Sequence, residues 1–242
     1  MNAASDPTGD VPTLGLPAAF AADDRDAVEA AVADLRKLGV RELRLDPGAG
    51  DDQWTGWLLA RLSAEFGLVL APGDAARAVA LAEAHAPLAR WIELPLENGS
   101  APALRRCRDL GLRVVLAGPA DPDRLDRLAG LPARADAVLL AGPVDAEGWA
   151  SVATRCRGVL ARQGAPGKLW IAAGPPPVPR NPVRALLDAL AAPVDRVYWT
   201  EPLHAMGPSP LLARLLENGG VPALRELDRV GRTAPALLRG ER

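Results

Sequence analysis

The side chains that most often carry covalent or metal chemistry are scarce in this chain of 242 residues. It has only two lysines and two histidines: Lys37, Lys168, His85 and His204. A zinc site needs several imidazole or thiolate ligands that converge, so two histidines argue against zinc, while a magnesium ion held by carboxylates stays open. Carboxylates are therefore the main candidates for acid and base chemistry.

The elements that must position these groups follow an eightfold alternation of short apolar runs and helix-like stretches. The predicted strands are Thr13–Pro17, Glu42–Asp46, Leu68–Ala71, Trp91–Leu94, Arg113–Ala117, Ala137–Ala141, Lys168–Ala172 and Arg196–Thr200. The predicted helices are Asp24–Leu38, Asp52–Phe66, Asp74–Ala84, Ala101–Leu110, Asp121–Leu128, Asp145–Arg162, Val183–Leu190 and Leu211–Glu217. Eight strand–helix units in about 200 residues predict a closed (β/α)8 barrel of the α/β class, a TIM barrel. Such barrels carry their chemistry on the loops that follow the strands.

Residues at the ends of the predicted helices support these boundaries. An aspartate stands at five helix starts, where a carboxylate caps free backbone N–H groups: Asp23 or Asp24, Asp52, Asp74, Asp121 and Asp145. A glycine follows three helices, where a left-handed C-cap favours it: Gly39, Gly67 and Gly111. We expect these glycines at the bottom of the barrel and any pocket at the top.

The loops after the strands differ in length, and the longer ones hold most of the polar residues. We expect a pocket among four of them: Asp46–Gln53, Pro95–Ser100, Ala173–Pro182 and Glu201–Pro210. A Schiff-base aldolase needs a lysine inside the barrel near the end of a strand. Lys37 ends a helix and Lys168 begins a strand, so the sequence argues against this class of enzyme. Three prolines follow Gly174 and have no backbone N–H groups to donate to a phosphate, so the sequence argues against a phosphate-binding loop after strand 7.

Short motifs in the same order along the chain carry a resemblance to a known family. The strand 4 segment Trp91–Asn98, WIELPLEN, resembles the motif of the retaining (β/α)8 glycoside hydrolases, and most of all the bacterial β-xylosidase-like group associated with sugar-nucleotide epimerases. Further matching segments are Gly39–Arg44, Trp54–Leu62, Leu169–Ile171, Arg196–Trp199 and Leu211–Leu216, with Gly219 and Gly220. The resemblance spans roughly Thr13 to Gly220.

The resemblance implies roles for individual residues. Glu97 would be the general acid/base, Arg44 would support the catalytic carboxylates, and Trp199 would carry a sugar ring. Independently of the resemblance, we expect Asn98, next to Glu97, and His204, in the loop after strand 8, to contact the substrate. The chain departs from the family at three positions: Pro95 replaces a tryptophan, Leu96 an asparagine, and Ala173 the nucleophilic glutamate of strand 7.

The missing nucleophile limits the chemistry. Retaining hydrolysis needs two carboxyl groups about 5 to 5.5 Å apart, so Ala173 closes the covalent route. Glu201 could replace it in an inverting mechanism if it stood roughly 6.5 to 9.5 Å from Glu97. Each carboxylate has an alternative interpretation: Glu97 and Glu201 as solvated loop residues, and Glu93 as the inward structural partner of Arg44.

Composition indicates one domain with a substantial core, because 49% of the residues are hydrophobic and 24% are charged. We expect a flexible leader at residues 1–12, the barrel at 13–220 and a tail at 221–242. The net charge of −2 offers no basic field for nucleic acid, and no apolar run is long enough to span a membrane. We expect a cytoplasmic protein with two free cysteines and no cofactor.

Two functions stay open at this point. The first is a glycoside-hydrolase-like protein of carbohydrate or polysaccharide metabolism, catalytically degenerate, that acts on or binds a carbohydrate. The second is a non-catalytic partner barrel for a sugar-nucleotide or polysaccharide enzyme, with the tail as its contact.

Overall fold

The protein is a closed barrel of eight parallel strands in sequence order. The computed structural model describes residues 13–18, 20, 24–48, 51–128, 130–142, 148–165, 167–174, 186 and 188–200. The strands are β1 (Thr13–Ala18), β2 (Glu42–Leu45), β3 (Gly67–Leu70), β4 (Trp91–Pro95), β5 (Arg113–Pro119), β6 (Ala137–Ala141), β7 (Leu169–Ala173) and β8 (Arg196–Trp199). β8 pairs with β1 and closes the sheet. The predicted TIM barrel is confirmed.

Helices alternate with the strands as the sequence predicts. They are α1 (Arg25–Leu38), α2 (Asp52–Ser63), α3 (Ala75–His85), α4 (Ala101–Asp109), α5 (Pro122–Arg127) and α6 (Gly148–Arg162). Residues 186 and 188–190 are helical, within the predicted seventh helix. The predicted eighth helix, the leader at 1–12 and the tail at 221–242 lie outside the described residues.

Aspartate side chains cap four of these helices. Asp24, Asp74 and Asp121 accept hydrogen bonds from backbone N–H groups of the first turn, as predicted. The cap of α2 is Asp51, whose carboxylate accepts from the Trp54 N–H at 2.7 Å, so the prediction of Asp52 is wrong by one residue. Asp52 lies in the first turn, where its charge still suits the helix dipole.

Glycines end the helices at two of the three expected positions. Gly39 and Gly111 have φ of 72° and 84° and occupy the left-handed conformation after α1 and α4. Gly67 does not cap α2, because that helix ends at Ser63 and Gly67 is the first residue of β3. All three glycines nonetheless lie at the end of the barrel where the strands begin.

The strands separate two apolar cores. Their outward side chains pack with the helices in a large cluster that includes Leu16, Leu43, Leu94 and Ile171. Their inward side chains fill the barrel with Val69, Trp91, Val115, Ala137, Leu139, Trp170, Ala172 and Tyr198. The indoles of Trp91 and Trp170 meet edge to face, with 4.7 Å between ring centroids. The lower interior of the barrel is therefore filled by aromatic rings.

The remaining structural expectations concern cysteines, tryptophans and membranes. Cys107 and Cys156 are free and buried, as expected. Trp54 and Trp149 are buried packing residues, also as expected. Among the described residues no helix is long and apolar enough to cross a membrane.

Candidate functional site

A charged pair lies inside the barrel on the side where the strands end. Arg44 on β2 donates two hydrogen bonds to Glu93 on β4: Nε to Oε2 at 2.7 Å and Nη2 to Oε1 at 2.6 Å. β3 runs between the two strands, so the side chains meet across the interior. This parallel, two-bond arrangement is the strongest geometry that an arginine and a carboxylate form. It confirms the expectation that Arg44 points inward and bonds Glu93 or Glu97, and it shows that the partner is Glu93.

The two members of the pair differ in exposure. The side chain of Glu93 is 8% exposed and that of Arg44 is 25% exposed. Burial alone would lower the pKa of Arg44, but the hydrogen bonds and the charge of Glu93 outweigh that effect and raise it. The guanidinium therefore stays charged and presents its outer part toward solvent.

Small side chains surround the pair at this end of the barrel, which we call the mouth. Pro17 is in register with Arg44, and Pro95 is in register with Ala117. These residues and Ala141 are partly exposed. Below them, Trp91, Trp170 and Tyr198 close the interior. The 25% exposure of the Arg44 side chain shows that solvent reaches the arginine of the pair.

The loop after β2 is fixed at the rim of the mouth by a second arginine. Arg77 of α3 forms an ion pair with Asp46, at 2.8 Å between Nη2 and Oδ1. It also donates to the carbonyl groups of Pro72 and Gly48. Gly48 has φ of 75° and donates its N–H to Asp46. These bonds hold the chain that follows Arg44 and so limit the motion of the strand end.

The loop after β4 carries Glu97, the predicted general acid/base. Glu97 is exposed and lies beyond the last strand residue, Pro95. Its carboxylate makes no hydrogen bond or ion pair with the described residues, whereas the buried Ser100 hydroxyl donates to the Pro95 carbonyl at 2.6 Å. The structure therefore brings Arg44 together with Glu93 and not with Glu97. Asn98 follows in a short 3-10 turn.

Two positions that the sequence assigned to the mouth face the helices instead. Trp199 is 1% exposed and packs in the outer cluster, because strand alternation directs Tyr198 inward and Trp199 outward. Its ring offers no surface for a sugar at the mouth, which corrects that expectation. Ala173, in register with Trp199, also belongs to the outer cluster. A glutamate at position 173 would consequently point away from the mouth.

The other predicted site residues cannot be located in the same way. Glu201 and His204 lie outside the described residues, and their roles stay predictions. Within the described part of the chain, no group of three or more histidine, cysteine, aspartate or glutamate side chains is placed to hold a metal ion.

Comparison with known proteins identifies the fold. No protein-family model and no curated protein matches the chain. A dipeptide epimerase from Methylococcus capsulatus, complexed with a magnesium ion, is 20% identical over 79% of this chain and 56% of its own, with a TM-score of 0.55. A mutant tryptophan synthase α-subunit from Pyrococcus furiosus is 16% identical over 90% of this chain and 95% of its own, with a TM-score of 0.56. A truncated 3-deoxy-D-arabino-heptulosonate 7-phosphate synthase from Thermotoga maritima is 12% identical over 92% and 87%, with a TM-score of 0.59.

These similarities correct the family resemblance. The three structures described above are an epimerase and two synthases and not glycoside hydrolases, and the expected kinship with the retaining glycoside hydrolases is wrong. At such identities the likeness shows the barrel fold alone. This chain also spans little more than half the length of the epimerase. Buried parallel strands are rich in the same apolar residues in unrelated barrels, so short motifs such as WIELPLEN can look alike without common ancestry.

Proposed function

We propose that this barrel is a binding protein for a small hydroxycarboxylate, such as an acidic sugar, at its mouth. The observation that carries the proposal is the bidentate Arg44–Glu93 pair, inside the barrel and open to solvent on the arginine side. Ligands of TIM barrels bind at this end of the strands.

The unused donors of Arg44 support a carboxylate ligand. Nε and Nη2 bond Glu93, and Nη1 makes no hydrogen bond with the residues that the structure describes. The free N–H groups of Nη1 and Nη2 form a second fork, which matches the two oxygens of a carboxylate. Glu93 meanwhile holds the guanidinium plane in place, so binding requires little loss of side-chain entropy.

The oxygens of Glu93 support a hydroxyl group on the same ligand. Each carboxylate oxygen has more than one acceptor site, and each accepts one bond from Arg44 in the described structure. A ligand hydroxyl beside the carboxylate could donate to the remaining sites. A neutral sugar would leave the outer fork of Arg44 without an anionic partner and should bind more weakly.

The test is isothermal titration calorimetry with gluconate and glucuronate, with glucose and sorbitol as neutral counterparts. We expect saturable binding of the acids and at least about tenfold weaker binding of the neutral compounds. Arg44→Lys keeps the charge but loses the fork, and it should weaken acid binding by at least about tenfold. Arg105→Gln is the matched control, because Arg105 is exposed on α4 and lies outside the mouth.

Two results would contradict the proposal. Equal affinity for gluconate and sorbitol would show that the carboxylate of the ligand does not contribute to binding. Saturable acid binding that Arg44→Lys leaves unchanged would place the ligand elsewhere on the protein.

A further inference from the structure

The opposite end of the barrel, where the strands begin, carries a cluster of positive charges around one indole. Arg113 at the start of β5, Lys168 immediately before β7 and Arg196 at the start of β8 lie over the ring of Trp91. Their charged atoms are 5.4, 5.6 and 5.3 Å from its centroid, respectively. We call Arg113, Lys168 and Arg196 the basal cluster.

Two of the three cations in the basal cluster have no acidic partner among the described residues. The cluster's one ion pair among the described residues joins Arg196 to Glu42, with 2.7 Å between Nη1 and Oε2. Arg113 and Lys168 are exposed and form no ion pair within the described part of the chain.

Arg196 lies at the inner edge of the basal cluster. Its Nη1 is buried and stands 2.7 Å from Oε2 of Glu42, so this end of the guanidinium is already held by a carboxylate. The guanidinium also lies over the ring of Trp170, 4.4 Å from the centroid. The exposed cations Arg113 and Lys168 are therefore the members of the basal cluster that remain available to an anion.

Two further cations extend the positive charge at this end of the barrel. Arg41 and Arg90 directly precede β2 and β4, are exposed, and form no ion pair among the described residues. Burial raises the pKa of Glu42, and the charge of Arg90 is the smallest of the effects that oppose this rise, so Arg90 lies within electrostatic range of Glu42. The starts of five strands therefore contribute a basic residue to one rim.

We propose that the basal cluster binds a divalent oxyanion of the phosphate class. Its three cations and the single carboxylate of Glu42 leave an excess of two positive charges, which matches the charge of a phosphate group near neutral pH. Arg113 and Lys168 would bind the phosphate oxygens directly, and the charge of Arg196 behind them would add to the attraction. This site is separate from the mouth, because the aromatic rings of Trp91, Trp170 and Tyr198 lie between them.

The anion could be free or part of a phosphorylated metabolite, and the probes distinguish these sources. Inorganic phosphate, pyrophosphate and glycerol 3-phosphate are titrated against the full chain by calorimetry, in potassium chloride at constant ionic strength. Constant ionic strength matters because salt screens exposed charges. Tightest binding of glycerol 3-phosphate would indicate a phosphomonoester, and tightest binding of inorganic phosphate or pyrophosphate a free anion.

The decisive variant is Arg113→Gln/Lys168→Gln, which removes two exposed charges with no ion pair in the described structure. We expect at least about tenfold weaker binding of every phosphate probe. The matched control is Arg105→Gln/Arg124→Gln, which removes two exposed arginines of α4 and α5 that form no ion pair with any described residue, and it should leave the affinity unchanged. Circular dichroism verifies that both variants are folded.

The proposal is overturned if no probe binds saturably with a Kd below about 10 mM. It is also overturned if the two double variants lose affinity equally, because the effect would then reflect overall charge. Either result leaves the proposal for the mouth untouched, since Arg44 and Glu93 are unchanged in every variant.

Discussion

Two hydrogen bonds join Arg44 and Glu93, but the two side chains differ in exposure: that of Glu93 is 8% exposed and that of Arg44 is 25% exposed. A charge that loses its partner is more costly to the fold when it cannot reach water. The carboxylate is thus the member of the pair that depends more on the other.

This asymmetry predicts unequal effects on stability. Arg44→Met leaves a buried carboxylate without a partner and should lower the free energy of unfolding by about 3 kcal/mol. Glu93→Met leaves a guanidinium that can turn toward solvent, and should cost about 1 to 2 kcal/mol. Urea denaturation of both variants at pH 7 measures the difference. The double variant Arg44→Met/Glu93→Met should be more stable than Arg44→Met alone; a strictly additive result would show that the pair is not coupled.

The inward direction of Arg44 and Glu93 could be predicted from the sequence, because residues two apart along a strand share a face. The same rule could not be applied safely to β8. Tyr198 and Trp199 are both large and apolar, and the strands of a parallel barrel are buried on both faces, so the two side chains themselves do not indicate which one points inward.

Local ambiguity explains the smaller errors. Asp51 and Asp52 are adjacent and either could cap α2, and the choice depends on where the loop after β2 turns. Gly67 suited both a helix C-cap and the start of a strand, and the pairing with β2 decided the outcome. The basal cluster could not be found from the sequence, because its members come from distant strands and are brought together only by closure of the barrel.

Glu42 makes stability depend on pH. Burial raises the pKa of its carboxyl above the ordinary value of 4.5, although Arg196 and Tyr198 act in the opposite direction. A carboxyl with a raised pKa stabilises the fold at low pH, where it is protonated in both states, and this contribution is lost as the pH rises through the folded pKa. The difference in free energy of unfolding between Glu42→Gln and the wild type should therefore shift in favour of the variant as the pH rises from 4 to 7. Urea unfolding at both values gives the comparison, and a gain that does not change with pH would show that Glu42 titrates normally.

The two cysteines should be unreactive in the folded protein. Burial raises the pKa of Cys107 and of Cys156 to about 11, and both residues are fully buried. At pH 8 only about one thiol in a thousand would be ionised, and the thiolate is the reactive form. Iodoacetamide should add no mass to the native protein within an hour and two adducts in urea, as measured by intact mass spectrometry. Rapid labelling of the native protein at either position would contradict the burial of that thiol.

Gly15 on β1 is required by the ring of Tyr198, which fills the interior beside it. A Cβ at position 15 would lie 2.6 Å from Cδ1 of Tyr198 and closer still to Cε1. Tyr198 is 1% exposed and packs against Trp170, so its ring has little room to move. Gly15→Ala should therefore lower the free energy of unfolding by about 1 to 3 kcal/mol.

The control for this prediction is Gly99→Ala, because a Cβ at position 99 meets no atom within 4 Å and its loss of stability should be below about 0.5 kcal/mol. Tyr198→Leu removes the ring atoms that a new methyl group would strike. In that background Gly15→Ala should cost less than it does in the wild type, which a double-mutant cycle of urea denaturation measures. An equal cost in both backgrounds would show that the strain introduced by Gly15→Ala comes from the backbone of β1 and not from Tyr198.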